Sequence, residues 1–312
     1  MLAIQAQHLS KTFKSRGRSA AGIVAVHDVS FEVEPGERLA YIGPNGAGKS
    51  TSIKMLTGIL HPSSGDANVL GLVPWTQRKA LARHIGALFG QRSQLWSELP
   101  PRAGFELLGA IYGLDHSETN RRVGELADVL DADGLFEEPV RNLSLGQRMR
   151  CELAASMLHR PKVLFLDEPT IGLDLVAKQR FRSLIVRLNE VDGTTIFLTS
   201  HDVADIEHVA RRVIVINHGR VIFDDKVSRL RRSVLATKEV EVRFEEAPEV
   251  LDIEAVDIAK GSGTGYRLIV DTTVRSIRDV LDELLDTHRV ADISVSDPPL
   301  EDVIARIYTE KP

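Results

Sequence analysis

Over its first two thirds the chain alternates short apolar or β-branched runs with longer stretches in which apolar residues recur at helical spacing. That alternation predicts a mostly parallel sheet flanked by helices, an α/β architecture. The clearest buried strands are Lys162 to Leu166 and Thr194 to Thr199. A short strand at Arg38 to Ile42 runs into a glycine-rich turn, and Ser50 to Leu60 then has helical spacing. Val213 to Asn217, the turn His218-Gly219-Arg220 and Val221 to Phe223 read as a late β-hairpin.

The pattern changes near the end. Strands are expected at Glu239 to Phe244 and Tyr266 to Asp271, with the turn Gly261-Ser262-Gly263-Thr264-Gly265 between them. A helix is expected from Val274 to Thr287, with its apolar stripe at Val274, Ile277, Val280, Leu281, Leu284 and Leu285. A strand near Val290 to Val295 and a helix near Leu300 to Ile307 complete a small α+β unit. The expected division is residues 1–228 and 233–312, joined through the basic stretch Arg229 to Arg232.

Charge sharpens that boundary. The 312 residues carry a net charge of −5, but from Ser233 onward 18 acidic residues face 9 basic ones, a net of −9, against +4 for the rest. A surface of this sign offers no footing for nucleic acid. Apolar runs such as Val163 to Leu166 are far short of the roughly 20 residues that span a bilayer, so membrane work is expected of another chain. The N-terminal residues show no basic head with an apolar core, which points to the cytoplasm. The single cysteine, Cys151, reads as a buried thiol.

The strongest chemical signal is Gly43-Pro44-Asn45-Gly46-Ala47-Gly48-Lys49-Ser50-Thr51, a match to the phosphate-loop pattern between a strand and a helix. Its glycines let backbone N–H groups turn toward phosphate oxygens. Lys49 adds a full positive charge for β- and γ-phosphates, Ser50 offers a hydroxyl to Mg²⁺, and the helix start points its positive dipole end at the same anion. Downstream, the apolar strand Val163-Leu164-Phe165-Leu166 ends in Asp167-Glu168. Two carboxylates there ask for a compensating cation. A magnesium nucleotide supplies one, with Asp167 toward the metal, directly or through water, and Glu168 toward an attacking water as general base.

With Leu143-Ser144-Leu145-Gly146-Gln147 just upstream, residues 1 to 225 resemble the ATPases of the ATP-binding-cassette (ABC) family. The resemblance implies a P-loop NTPase fold with a helical subdomain at about 92–160, which hydrolyses ATP with Mg²⁺. It also implies that Phe13 stacks on adenine, that Gln91 senses Mg²⁺ and the transmembrane partner, that Asp174 belongs to the D-loop, and that His201 contacts the γ-phosphate. Ser144 is a good N-cap, and Gly146 leaves the backbone open, so the helix from Gln147 presents N–H groups to an anion. In the family that anion is the γ-phosphate held by a second subunit, and head-to-tail dimers complete two ATP sites.

Two positions depart from the family pattern. Leu145 stands where a glycine is common, and the segment Ile85 to Gln91 is one residue longer than usual, which leaves Gln94 as a rival to Gln91. His159, His208 and His218 have no motif company, and Trp75 and Trp96 read as packing residues, Trp96 alternatively lining a partner-binding groove. Pro298-Pro299-Leu300-Glu301-Asp302-Val303 resembles the tails of daunorubicin-type export ATPases. The expectation is therefore a homodimer, or a heterodimer with a related ATPase, peripheral on the cytoplasmic face of a membrane and docked on separate permeases. The other readings are an ABC ATPase without a transporter and a module that binds ATP without hydrolysing it.

Overall fold

A computed structural model describes residues 1–14, 22–90, 93–230, 237–248, 251 and 253–296. Gln91 and the segment Pro298 to Val303, with the helix expected near Leu300 to Ile307, lie outside the described residues. The chain divides into two compact units, Met1–Asp225 and Lys226–Pro312.

In the first unit, a six-stranded sheet has the order β5-β6-β7-β3-β8-β9. Its strands are β3 (Arg38–Ile42), β5 (Ile85–Phe89), β6 (Val163–Asp167), β7 (Thr195–Ser200), β8 (Arg212–Asn217) and β9 (Arg220–Lys226). All the pairings from β5 to β8 are parallel. Alternate residues of the buried strands serve opposite cores, which is why these segments read as unbroken apolar runs. Leu164, Leu166, Ile196 and Leu198 face one core, together with Phe105, Leu126, Leu153 and Phe181. Val163, Phe165, Phe197, Leu39 and Tyr41 face the other, with Ile53 and Leu56.

The register sets Asp167 beside Thr199, and Ile42 beside Ser200. Three strand ends therefore open at one level, the carboxyl edge where sheets of this kind hold ligands. The late hairpin is as expected, except that Arg220 begins β9 rather than closing the turn. His218 and Gly219 both have positive φ, 46° and 75°, the geometry that suits a two-residue hairpin.

A second, antiparallel sheet, not anticipated from the pattern, joins β1 (Ile4–Phe13), β2 (Ile23–Val33) and β4 (Ser64–Val69) in the order β2-β1-β4. The helix after the phosphate loop, α1 (Lys49–Leu56), is shorter than its apolar spacing predicted. Gly58 takes φ +71°, and the N–H groups of Ile59 and Leu60 both turn back to Lys54 O, which ends the helix. After α2 (Arg78–Ala82), a helical layer follows: α3 (Pro101–Tyr112), α4 (His116–Leu130), α5 (Leu145–Met157), α6 (Leu175–Asp192) and α7 (Val203–Val209).

The second unit carries the sheet β11-β12-β10-β13, from β10 (Thr237–Phe244), β11 (Val256–Ser262), β12 (Gly265–Asp271) and β13 (Val290–Ser296). The glycine-rich turn closes the β11–β12 hairpin; β11, with Lys260 and exposed polar neighbours, lacks the alternation that would have announced it. The helix α8 (Ile277–Thr287) starts at its Ser276 cap, so Val274, 69% exposed, stands outside the stripe, and Leu285 is also exposed. Val280 and Leu284 carry the packing, against Val240, Val242, Leu268 and Val270.

Candidate functional site

The loop Gly43 to Gly48 leaves β3 and enters α1 with Gly48 at φ 108°. Its outer side is enclosed by backbone: a Cβ on Gly43 would lie 2.3 Å from Ile216 O, and one on Gly48 2.4 Å from Ala25 O. Both glycines are required by close approach as well as by chain direction. Around Gly46 no atom comes within 4 Å of such a Cβ, so the inner side is open. Lys49 is buried, and its Nζ donates to Gly43 O at 2.7 Å and Pro44 O at 3.3 Å.

From the end of β6, one strand removed from β3, Asp167 and Glu168 meet this loop. Ser50 Oγ donates to Asp167 Oδ1 at 3.0 Å. Glu168 Oε1 lies 3.2 Å from Lys49 Nζ, and Glu168 Oε2 lies 2.5 Å from His201 Nδ1. Since a carboxylate only accepts, Nδ1 is the donor in this contact, which does not involve Nε2. Glu168 takes φ 53°, an uncommon backbone for a side chain of this kind. Its N–H is shared between Thr199 O and Thr199 Oγ1, both at 3.1 Å, which holds the turn in place. Ser50 and Asp167 bring two hard oxygens together beside the loop, donors of the kind that Mg²⁺ takes.

On another face, Ser144 caps α5 as its sequence promised, but the helix begins at Leu145 and not Gln147, because the cap sits one residue before it. Gln147 N donates to Ser144 Oγ at 3.3 Å, and Ser144 N donates to Gln147 Oε1 at 2.8 Å. This reciprocal pair engages the Gln147 main-chain N–H and leaves those of Leu145 and Gly146 as the open donors of the first turn. Asp174 caps α6 through Ala177 N at 2.8 Å. Ser144, Gly146, Asp174 and Arg180 line one concavity of about 390 Å³. The structure thus gathers Lys49, Ser50, Asp167, Glu168 and His201 into one cluster and Ser144, Gly146, Gln147 and Asp174 into another on the same unit. Phe13 ends β1 with its ring 39% exposed and Lys11 Nζ 5.4 Å from its centroid, so it is not a core aromatic. Gln94 spends its amide on Ala87 O at 3.1 Å.

Several supporting residues were not singled out from the sequence. Thr199, fully buried, donates to Asp167 Oδ1 at 2.7 Å; a hydroxyl in the middle of a buried strand is itself a signal, because it must find a partner. Next to His201, Ser200 Oγ and Thr170 Oγ1 donate to the buried Asp205, which Arg182 Nε pairs at 2.5 Å. Burial alone would raise the Asp202 carboxyl, but the Lys178 hydrogen bond and the Arg182 charge hold it below its ordinary value. His159 is a packing residue, stacked on Tyr112 at 3.8 Å, and His208 turns back onto Ala204 O.

Comparison with known proteins shows the family of the chain. The ABC transporter family model matches residues 26–171. Daunorubicin resistance ATP-binding protein DrrA2 of Streptomyces coeruleorubidus is 33% identical over 89% of this chain and 88% of its own length. Nod factor export ATP-binding protein I of Burkholderia thailandensis is 34% identical over 70% of this chain and 71% of its own. Among solved structures, the dimeric ATP-binding cassette MJ0796 in a post-hydrolysis state with ADP and phosphate superposes with a TM-score of 0.63, at 26% identity, over 72% of this chain and 98% of its own. With its phosphate loop, carboxylate pair and capped signature helix in one α/β unit, the chain belongs to the ABC transporter ATP-binding proteins and is an ATPase.

Proposed function

We propose that two ATPase subunits, identical or closely related, face each other head to tail and drive export through separate permeases at the cytoplasmic face of a membrane. The observation that carries this reading is the convergence of Lys49, Glu168 and His201, with Ser144 and Gly146 in a separate concavity of the same unit. A cradle and a capped helix N-terminus that line separate cavities of one subunit form complete sites when two subunits meet head to tail. Export is supported by the relatives named for drug resistance and Nod factor export. No helix among the described residues is long and apolar enough to cross a membrane.

In this reading the backbone from Gly43 to Thr51 and Lys49 hold the phosphates, and Phe13 stacks on adenine. Ser50, Asp167 and Gln91 hold Mg²⁺, whose charge would polarise the phosphoryl oxygens. Glu168 takes the proton of the attacking water, and its position is fixed by Thr199 and His201. His201, held on Glu168 through Nδ1, contacts the γ-phosphate through Nε2. The partner subunit closes the site with the first N–H groups of its own α5 and the Asp174 turn. No role for nucleic acid enters, and the acidic second unit serves as a dimerisation or regulatory appendage.

The test is affinity capture of the Glu168→Gln protein, with ATP, from detergent-solubilised membranes of its own host, followed by mass spectrometry. Recovery of polytopic permeases is the expected result. Reproducible recovery of only a soluble partner would overturn the transport reading.

A further inference from the structure

Glu152 is a charged residue 2% exposed on α5, and no motif accounts for it. A buried carboxylate is costly unless its oxygens are satisfied. Here the partners come from the loop that follows β5. The Ser93 hydroxyl donates to Oε1, and Gln94 N donates to Oε2 at 2.9 Å, with Arg148 Nε 3.9 Å from Oε1. The same loop is held from its other side, where Gln94 Nε2 donates to Ala87 O at 3.1 Å in β5. Beyond it, Leu95 is buried, and a Cβ on Gly104 of α3 would lie 2.8 Å from Leu95 Cδ2 and 3.8 Å from the Trp96 ring. One carboxylate thus joins α5, the loop and, through the next two residues, α3.

Its position along α5 gives the joint a use. Glu152 follows the Ser144 cap by about 12 Å of unbroken helix at 1.5 Å per residue. We propose that Glu152 is a positioning residue that ties the signature helix to the loop after β5, so that docking of the α5 N-terminus onto nucleotide shifts that loop and Trp96 with it. The proposal rests on the ATP-driven dimer described above. A charged tie suits the task better than apolar packing, because both bonds to the loop go to a main-chain N–H and a hydroxyl, which fix direction as well as distance.

The test uses the full chain. Trp75 and Trp96 are its two tryptophans, so Trp75→Phe in a Glu168→Gln background leaves Trp96 as the reporter, half-exposed and two residues from Gln94. MgATP is expected to produce both dimers, seen by sedimentation, and a change in Trp96 emission. Adding Glu152→Gln should reduce that change at least threefold while the ATP dissociation constant, by calorimetry, stays within twofold. In the chain with Glu168 intact, Glu152→Gln should lower kcat at least threefold with KM within twofold. Ser93→Ala, at an exposed position, should show the same effects in weaker form and guards against a folding defect at Glu152. A full Trp96 response and native kcat in both variants would overturn the tie. Dimers without any Trp96 response in the parent would overturn it too, and leave the dimer reading standing. Failure of the parent to dimerise with ATP would instead remove the reading on which the tie rests.

Discussion

Thr199 Oγ1 donates to Asp167 Oδ1 at 2.7 Å across the β6–β7 pairing, and the same oxygen accepts the Glu168 N–H at 3.1 Å. One hydroxyl therefore orients the carboxylate offered to Mg²⁺ and steadies the backbone of the proposed base. Thr199→Val keeps the shape of the side chain and removes both bonds. The expected loss of stability is about 1 to 3 kcal/mol, the contribution of one bond to a charged group and one shared neutral bond, because Asp167 keeps Ser50 Oγ and the Glu168 N–H keeps Thr199 O. Thermal unfolding checks this, and steady-state ATPase assays should show kcat falling more than KM changes.

Glu168 divides its carboxylate between Lys49 and His201. Glu168→Gln preserves the size of the side chain but cannot accept a proton from water. Turnover should fall by roughly 10²- to 10⁴-fold, the span typical of a lost general base. ATP binding, read by calorimetry, should persist. Near-normal turnover in the purified variant would remove Glu168 from that role.

Lys49 has its ammonium held on Gly43 O and Pro44 O of the loop. Lys49→Ala should weaken ATP binding by at least tenfold, since charged hydrogen bonds are each worth about 1.5 to 3 kcal/mol. It also leaves Glu168 without its buried partner. A modest drop in melting temperature should accompany the lost affinity, and MgATP should no longer restore it.

His159 offers a pH test away from the chemistry. Burial, offset in part by its bond to Ile85 O, pushes its pKa down to about 4, while Nδ1 is buried without a partner. The unfolded chain binds a proton there near pH 6.5 and the folded chain does not until much lower. Its contribution is therefore fully present above pH 6.5 and is lost as pH falls toward 4, a change on the order of 3 kcal/mol. Melting curves between pH 7 and 4 should show this slope, and His159→Phe, which keeps a ring against Tyr112, should flatten it.

Much of this was legible in the sequence because it was local. The strand, glycine loop and helix at Arg38 to Leu56 are contiguous, and the Ser144–Gln147 capping box is a four-residue device. The carboxylate pair showed itself as charge at the end of an apolar run. What escaped notice depended on register or on distant partners. The antiparallel sheet hides behind bulges, with shifts between Ala6 and Leu9 and again before Thr12, that break simple alternation. Glu152 and Ser93 lie 59 residues apart, and nothing in either neighbourhood announces the other. Glu168 gave no sign of its positive φ, since only pairing with β7 imposes it.

The walls around the phosphate loop carry one more implication. Ile216 O and Ala25 O press on Gly43 and Gly48 from outside, and Gly219 N donates to Ala47 O at 3.1 Å, so strands far apart in the chain share one mould. The ring of N–H groups is cast when the protein folds and need not be assembled by each incoming nucleotide. Free energy from phosphate recognition is then available for drawing two subunits together instead of ordering a slack loop. A substitution at Ile216 or Ala25 that moved the main chain by half an ångström would act as a nucleotide-site mutation without touching the nucleotide.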